Sequence, residues 1–189
     1  MGFSHWDLFR DIETDFLEHT RTIGYTSQYY SVHTPKLAEL ILTCCSAFET
    51  TAALLCKAVD SGSPCKGLDV CRGPITKRFP NFTATKVVLP SYVMSLAPWS
   101  EWTEQGPPKW WTQGYLPLVR DREANKRAGN YWNALYAVAG LFCGILHYHW
   151  ELFQGAPVDP LQAPEVFAPK NPPGFKPAPG SWSYSLPDS

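Results

Sequence analysis

The densest group of side chains that could do chemistry lies at residues 120–127. The segment reads Arg-Asp-Arg-Glu-Ala-Asn-Lys-Arg, so four basic residues are interleaved with two acids. Guanidinium and ammonium groups bind phosphate oxygens, and the neighbouring carboxylates can fix their geometry. The sequence therefore predicts a nucleic-acid-binding site formed by Arg120, Arg122, Lys126 and Arg127. A solvated helix junction, whose charges pair only locally, is the alternative interpretation.

The histidines and cysteines do not have the spacing of a metal site. His147 and His149 are two residues apart, so they diverge around a helix and cannot chelate one ion as an i, i+4 pair. The other histidines stand alone, and the six cysteines show no zinc-like pair of motifs. The chain has no Gly-x-Ser-x-Gly motif, no HExxH motif and no phosphate-binding glycine loop. We therefore expect no metal and no cofactor.

The composition is that of a folded domain with little net charge. Of the 189 residues, 44% are hydrophobic and 17% are charged, and the formal net charge is −1. Such a chain can bury a core. Its net charge excludes a strong global attraction to nucleic acids or anionic membranes but is compatible with a local basic patch. The N-terminus has no basic segment followed by an apolar one. We therefore predict a cytoplasmic protein with reduced, mostly buried cysteines.

Helical periodicity predicts an all-α domain over residues 1–154. Apolar residues recur at helical spacing from Ser4 onward, and acidic residues take the other side. A second helix is predicted to begin at Thr34 and Pro35, which supply a capping hydroxyl and a proline at the first helical position. It is predicted to end at Asp60, where a Ser/Gly/Pro-rich stretch follows.

Residues 61–109 form an irregular insertion in this prediction. Prolines and glycines punctuate the segment, and residues 86–89 are its one strand-like run. We expect loops, a small hairpin and one or two helical turns near Tyr92–Leu96. A further helix is predicted near Trp110.

The last long helix is predicted over residues 125–153. Its segment 134–146 is almost entirely apolar, which raises the question of a membrane span. These 13 residues would cover only ~20 Å of the ~30 Å hydrocarbon layer. The sequence therefore favours a buried helix in a soluble bundle and no membrane span.

Residues 155–189 differ in character from the rest of the chain. Nine of the 18 prolines lie here, so no helix can form through the segment. A solvating linker would not need large rings, and we interpret the tail as an extended arm that lays its aromatics into grooves on its own core or on a partner. The predicted partner-binding residues are Phe167, Phe175, Trp182 and Tyr184.

Four groups of short segments lie in order between residues 30 and 146. They are Tyr30-Ser31 with Lys36-Leu37-Ala38-Glu39-Leu40, Cys45-Ser46-Ala47-Phe48-Glu49 and Lys57; Ala97-Pro98-Trp99 with Trp102; Trp110-Trp111 with Tyr115 and Asp121-Arg122; and Asn130 and Asn133 before Ala139-Gly140-Leu141-Phe142. In this order and spacing the chain resembles a group of bacterial HEPN-like proteins. The resemblance covers most of the helical part and stops before the tail.

The resemblance implies a four- to five-helix bundle that commonly dimerises. Many HEPN proteins are metal-independent ribonucleases of toxin–antitoxin or phage-defence systems, and they use an arginine and a histidine near the start of a late helix. Such a site needs a general base for the ribose 2′-hydroxyl and a cation for the charge that develops on phosphorus. The implied partners are a second copy of the chain or another protein, together with RNA.

The chain departs from this pattern at the catalytic positions. The resemblance implies an asparagine after the tyrosine and a lysine-histidine pair before the aspartate-arginine, but this sequence has Leu116, Val119 and Arg120 there. The next histidine is His147, so Arg122 is kept as a phosphate-binding candidate without its base. We therefore predict an RNA- or protein-binding HEPN-like component of a bacterial defence or toxin–antitoxin type system, without ribonuclease activity.

Two alternative functions stay open. The first is an active metal-independent ribonuclease in which Arg120 or Arg122 acts with a base supplied by Glu49 or by a dimer mate. The second is a structural or assembly subunit that docks onto a larger complex through its aromatic tail.

Overall fold

The computed structural model describes residues 4–24, 26–62, 64, 66–153, 164–170, 175–178 and 181–184. This part of the chain is mainly helical, as predicted. Its five α-helices are α1 (Ser4–Thr20), α2 (Pro35–Val59), α3 (Leu68–Arg78), α4 (Leu116–Arg120) and α5 (Tyr131–Phe153). A π-helical segment, Trp110–Tyr115, runs directly into α4.

Both ends of α2 follow from the local sequence. Thr34 is extended, and its hydroxyl accepts a hydrogen bond from Leu37 N at 3.1 Å. Pro35 begins the helix, where its missing N–H costs nothing. The helix ends at Val59, just before Asp60. The predicted start and end of this helix are confirmed.

Helix α5 is buried on nearly all sides and packs mainly against α2. Between Tyr131 and Glu151, its half-buried residues are Trp132, Tyr136 and Tyr148. A Cβ atom at Gly144 would lie 2.7 Å from the Phe48 ring of α2. Glycine is therefore required for this close approach of the two helices. The predicted buried central helix is confirmed.

Tryptophans fill the space beside this helix pair. The Trp99 ring stacks on Phe48 with centroids 4.1 Å apart, and its indole N–H donates to Gly140 O at 3.0 Å. Trp110 donates its indole N–H to Pro98 O at 2.6 Å. Both buried N–H groups thus have carbonyl acceptors, as burial requires. Much of the high aromatic content therefore serves the core.

The all-α class holds only in part, because the chain also forms small antiparallel sheets. Strand β1 (Lys86–Leu89) lies between β2 (Met94–Leu96) and β3 (Ala168–Lys170). Val87 and Leu89 of β1 are buried, which is the period-2 pattern of a strand on a core. The strand-like run and the hairpin are confirmed, but the third strand comes from the tail. A further hairpin pairs β4 (Phe175–Ala178) with β5 (Ser181–Tyr184).

Helix α3 lies in the stretch that was predicted to be irregular. Leu68, Cys71 and Ile75 are buried at spacings of three and four residues, which is the pattern of one helix face. Gly73 and Pro74 hide this pattern in the sequence because both disfavour a helix interior. Packing of the apolar face against α2 outweighs their cost.

Helix α5 begins at Tyr131, later than the predicted start at residue 125. Asp121, Asn125 and Asn130 form hydrogen bonds from their side chains to nearby backbone groups. Such local bonds compete with helical ones. Residues 121–130 are therefore a loop with one short 3-10 turn.

The first described part of the tail packs on the chain's own core. The ring of Phe167 is 1% exposed. Its centroid lies 5.8 Å from that of Phe16 and 6.3 Å from that of Phe9. The buried carboxylate of Glu13 accepts the backbone N–H groups of residues 165–167 at 2.8 to 3.0 Å. Residues 164–170 are thus an extended arm held by α1 and β1.

One helix of the described chain, α2, has the length and apolar composition to cross a membrane. Half of its most apolar window is buried inside the fold, and the core helices of soluble proteins pass the same test. The segment 134–146, considered above as a span, lies in the buried helix α5. The cytoplasmic location and the lack of a membrane span stay predictions.

Candidate nucleic-acid interface

The basic residues at 120–127 lie at the end of α4 and in the loop that follows it, whose own side chains hold it in place. Asp121 Oδ1 accepts the N–H of Ala124 at 2.9 Å, and Asn125 Nδ2 donates to Asp121 O at 2.8 Å. Asn130 Oδ1 accepts the N–H of Asn133 at 2.9 Å and so caps the start of α5. We call residues 120–130 the cationic loop. These hydrogen bonds stabilise one conformation of its backbone.

Backbone hydrogen bonds attach the end of the cationic loop to the segment before α2. Thr34 N donates to Gly129 O at 3.2 Å, and Tyr131 N donates to Val32 O at 2.8 Å. A Cβ atom at Gly129 would lie 2.7 Å from Ala38 Cβ. The loop can therefore approach α2 this closely only with glycine at position 129.

Arg122 anchors the loop to α2 from the other side. Its Nη2 donates to Pro35 O at 2.7 Å and lies 3.4 Å from Glu39 Oε1. Glu39 also pairs with Lys36 at 3.1 Å. The hydrogen bond from Lys36, and after it that from Arg122, lowers the pKa of Glu39. Arg122 is thus partly neutralised and acts mainly as a positioning residue.

The cationic loop borders two clefts. The first cleft has a volume of about 560 Å³ and is lined by His33, Thr34, Pro35, Ala38, Arg122, Glu123 and Lys126. The second has a volume of about 720 Å³ and lies between the loop, the segment before α2 and the start of α5. Lys126 borders both clefts, and Arg127 borders the second.

The structure brings most of the predicted cations together, but not the predicted base. Arg122, Lys126 and Arg127 border the clefts, and Arg120 lies exposed at the end of α4 outside both linings. Glu49 lies on α2, ten residues after Glu39, which is ~15 Å along the helix axis. It lines neither cleft.

Glu49 has a different neighbour. The Tyr115 hydroxyl donates to Glu49 Oε2 at 3.2 Å. Burial, and after it the nearby carboxylate, raises the pKa of Tyr115, so the phenol keeps its proton and remains a donor. This pair ties the π-helical segment to α2 and does not serve the cationic loop.

His33 is the site residue that the sequence analysis missed. It is exposed and lines the first cleft together with Arg122 and Lys126. Its Nδ1 lies 3.4 Å from Ser31 O. A proton on Nδ1 facing this carbonyl leaves Nε2 with a free lone pair, as a general base requires. The isolated position of His33 in the sequence gave no signal of this juxtaposition.

The other titratable groups do not assemble a metal centre. Within the described ranges, no group of three or more His, Cys, Asp or Glu residues could hold a metal ion. His147 and His149 are buried in the core, and burial lowers the pKa of each to about 4. Cys44 and Cys143 are buried free thiols whose pKa is raised by burial.

The predicted partner-binding residues of the tail divide into two groups. Phe167, predicted to bind a partner, is buried in the core of its own chain, which is one of the two arrangements expected for the arm. The backbones of the other three lie in β4 and β5. The side chains of Phe175, Trp182 and Tyr184 lie outside the described part of the chain.

No protein-family model, curated protein or solved structure matches this chain. The resemblance to HEPN-like proteins therefore stays a prediction.

Proposed function

We propose that this protein is a HEPN-like RNA-binding component of a bacterial defence or toxin–antitoxin type system that does not cleave its RNA. The observation that carries the proposal is the cationic loop, which borders two clefts and contributes Lys126 to both. A preorganised set of cations binds phosphates without losing much conformational freedom on binding.

The charge of the loop supports phosphate binding more than a local ion network. Residues 120–127 carry four positive and two negative side chains, for a net charge of +2. Among the described residues, Arg120, Lys126 and Arg127 are exposed and have no ion-pair partner within 4.0 Å. Their charges are therefore available to a ligand, whereas that of Arg122 is shared with Glu39.

The proposal of binding without cleavage rests on the lack of a histidine at position 120. Metal-independent cleavage near neutral pH usually assigns proton transfer from the 2′-hydroxyl to histidine. Arg120 stands where the resemblance implies that histidine, and a guanidinium keeps its proton at neutral pH. Binding can therefore outlast catalysis at this site.

Fluorescence anisotropy with a labelled single-stranded RNA in EDTA and low salt tests this function. We expect Lys126→Ala and Arg127→Ala to weaken binding because each removes a phosphate contact of about 1 kcal/mol, or about fivefold in affinity. Arg122→Ala should also weaken binding because it releases the loop from Pro35. Lys57→Ala is the matched control, because Lys57 is an exposed cation in the last turn of α2. No binding by the wild type, or equal binding by all variants, would contradict the proposal.

One observation favours a second candidate function, metal-independent RNA cleavage with His33 as the base. His33 shares the first cleft with Arg122 and Lys126. In that reaction Nε2 takes the 2′-hydroxyl proton, the 2′-oxygen attacks phosphorus, and the 5′-oxygen leaves and takes up a proton, which yields a 2′,3′-cyclic phosphate.

Incubation of the same RNA with the protein in EDTA distinguishes the two functions. Cleavage to cyclic-phosphate ends that is lost in His33→Ala, while RNA binding is kept, would establish the nuclease. Intact RNA after long incubation with wild-type protein, at concentrations that saturate binding, supports the binding function.

A further inference from the structure

Aromatic rings line one wall of the second cleft. The ring centroid of Trp132 lies 4.5 Å from that of Tyr30 and 4.2 Å from that of Tyr136. Tyr30 and Trp132 both border the cleft, and both are half-buried. The cleft is thus lined both by aromatic residues and by residues of the cationic loop.

Hydrogen bonds and ring packing position this wall. Trp132 lies in the first turn of α5, and its backbone N–H donates to Tyr30 O at 3.2 Å. Tyr136 lies four residues further along α5 and supports the Trp132 ring from one side. The Asn130 cap fixes the start of the helix and hence the position of Trp132.

Several polar groups in the second cleft remain available to a ligand. The side chains of Ser31 and Gln113 line the cleft and make no hydrogen bond to any described residue. Lys126 and Arg127 border the same space. The volume of about 720 Å³ lies in the range of roughly 300–1,000 Å³ that is typical of small-molecule sites.

This combination fits an unpaired nucleotide. Single-stranded nucleic acids bind where aromatic rings stack on bases and cations hold the adjacent phosphates. A base inside a duplex has both faces covered by its neighbours and cannot reach such a wall. A simple phosphate-binding groove would not need the rings.

We propose that the second cleft is a base-stacking subsite for single-stranded RNA. An unpaired base stacks on the ring pair formed by Trp132 and Tyr30, and Lys126 and Arg127 bind the flanking phosphates. Ser31 and Gln113 offer hydrogen bonds to the edge of the base. The inference rests on the proposed RNA-binding function and deepens it by naming the class of RNA and the residues that distinguish it from a duplex.

The test compares three labelled ligands by fluorescence anisotropy on the full chain. They are a single-stranded RNA of about 12 nucleotides, an abasic ribose-phosphate oligomer of the same length, and the RNA annealed to its complement. The abasic oligomer keeps the phosphates and lacks the bases. We expect the wild-type protein to bind the single strand at least about tenfold more tightly than the abasic oligomer or the duplex, because stacking contributes about 1–3 kcal/mol per base.

The variants separate stacking from phosphate binding. Trp132→Ala should weaken binding of the single strand at least about fivefold and leave binding of the abasic oligomer unchanged. Trp132→Phe should retain most of the affinity, and Tyr30→Ala tests the same subsite with a substitution outside α5. Lys126→Ala should weaken binding of both ligands. Tyr92→Ala is the control, because this ring is 43% exposed and lies outside the second cleft.

Equal wild-type affinity for the single strand and the abasic oligomer would overturn the stacking subsite and leave the proposed function standing. Tight single-strand binding that neither Trp132→Ala nor Tyr30→Ala weakens, with both variants folded by circular dichroism, would also overturn it. Binding of none of the three ligands would overturn the proposed function and this inference together.

Discussion

His147 is a neutral histidine enclosed by aromatic rings in the core. Its Nδ1 lies 2.7 Å from Cys143 O, so the proton on that nitrogen faces the carbonyl. The ring centroids of Phe79 and Phe82 lie 5.0 Å and 4.6 Å from its own. Burial lowers the pKa of His147 to about 4 because the charged imidazolium would lose its hydration.

The low pKa of His147 predicts acid destabilisation. The unfolded chain takes up this proton near pH 6.5, whereas the folded chain does so only near pH 4. The contribution of neutral His147 to the free energy of unfolding is present above pH 6.5 and is lost as the pH falls toward 4. The total loss is about 3 kcal/mol. Urea unfolding at several pH values measures it. In His147→Met the pH slope should fall by about one proton, and an unchanged slope would contradict this assignment.

The carboxylate of Glu13 holds the arm to α1. Burial raises the pKa of this carboxyl, and its three backbone donors act in the opposite direction. In Glu13→Gln an NH₂ group replaces one acceptor and faces backbone N–H donors, so the arm should detach. Hydrogen exchange in residues 164–170 should become at least about tenfold faster. Glu18→Gln is the control, because Glu18 is exposed on the same helix. Unchanged hydrogen-exchange protection in Glu13→Gln would contradict the role of Glu13.

Among the contacts between helices and strands, the packing of α2 against α5 should contribute most to the stability of the fold. Phe48 and Leu141 are buried on these two helices. Phe48→Ala should cost about 3–5 kcal/mol and Leu141→Ala about 2–5 kcal/mol, because each leaves a cavity in a packed core. Chemical denaturation measures both costs. Leu8→Ala, at a position 38% exposed, is the apolar control. Costs below about 1 kcal/mol at both buried positions would contradict this packing.

Elements with strong local signals could be predicted from the sequence. Thr34 and Pro35 determine the start of α2 through a cap and a fixed backbone angle, and both act within a few residues. The start of α5 could not be predicted, because the side chains of Asp121 and Asn125 bond the local backbone and override the helical pattern that continues into α5.

The sequence predicted the basic residues of the candidate site but not the clefts beside them. The basic residues at 120–127 are visible in the sequence. The clefts beside them depend on backbone hydrogen bonds between residues 32–34 and residues 129–131, which leave no side-chain pattern. His33 and Arg122 line one cleft and Trp132 lines the other as a result of that attachment, so neither grouping could be predicted from the sequence.

The whole molecule is predicted to work as a homodimer or in a stable complex with another protein. The prediction rests on the resemblance to HEPN-like proteins, which commonly dimerise. Light scattering at micromolar concentration should give about twice the chain mass of 21.2 kDa, or a partner should co-purify with the tagged chain. A strict monomer with no recovered partner would contradict it.

The salt dependence of RNA binding tests the central claim most directly. If the cationic loop binds phosphates, the logarithm of the affinity should fall linearly with the logarithm of the salt concentration, with a slope of about −0.7 per phosphate contact on single strands. Replacing Lys126 and Arg127 together with alanine should lower the magnitude of that slope by about 1.4, while Lys57→Ala leaves it unchanged. A wild-type slope near zero, or a slope that the double variant does not change, would contradict the account.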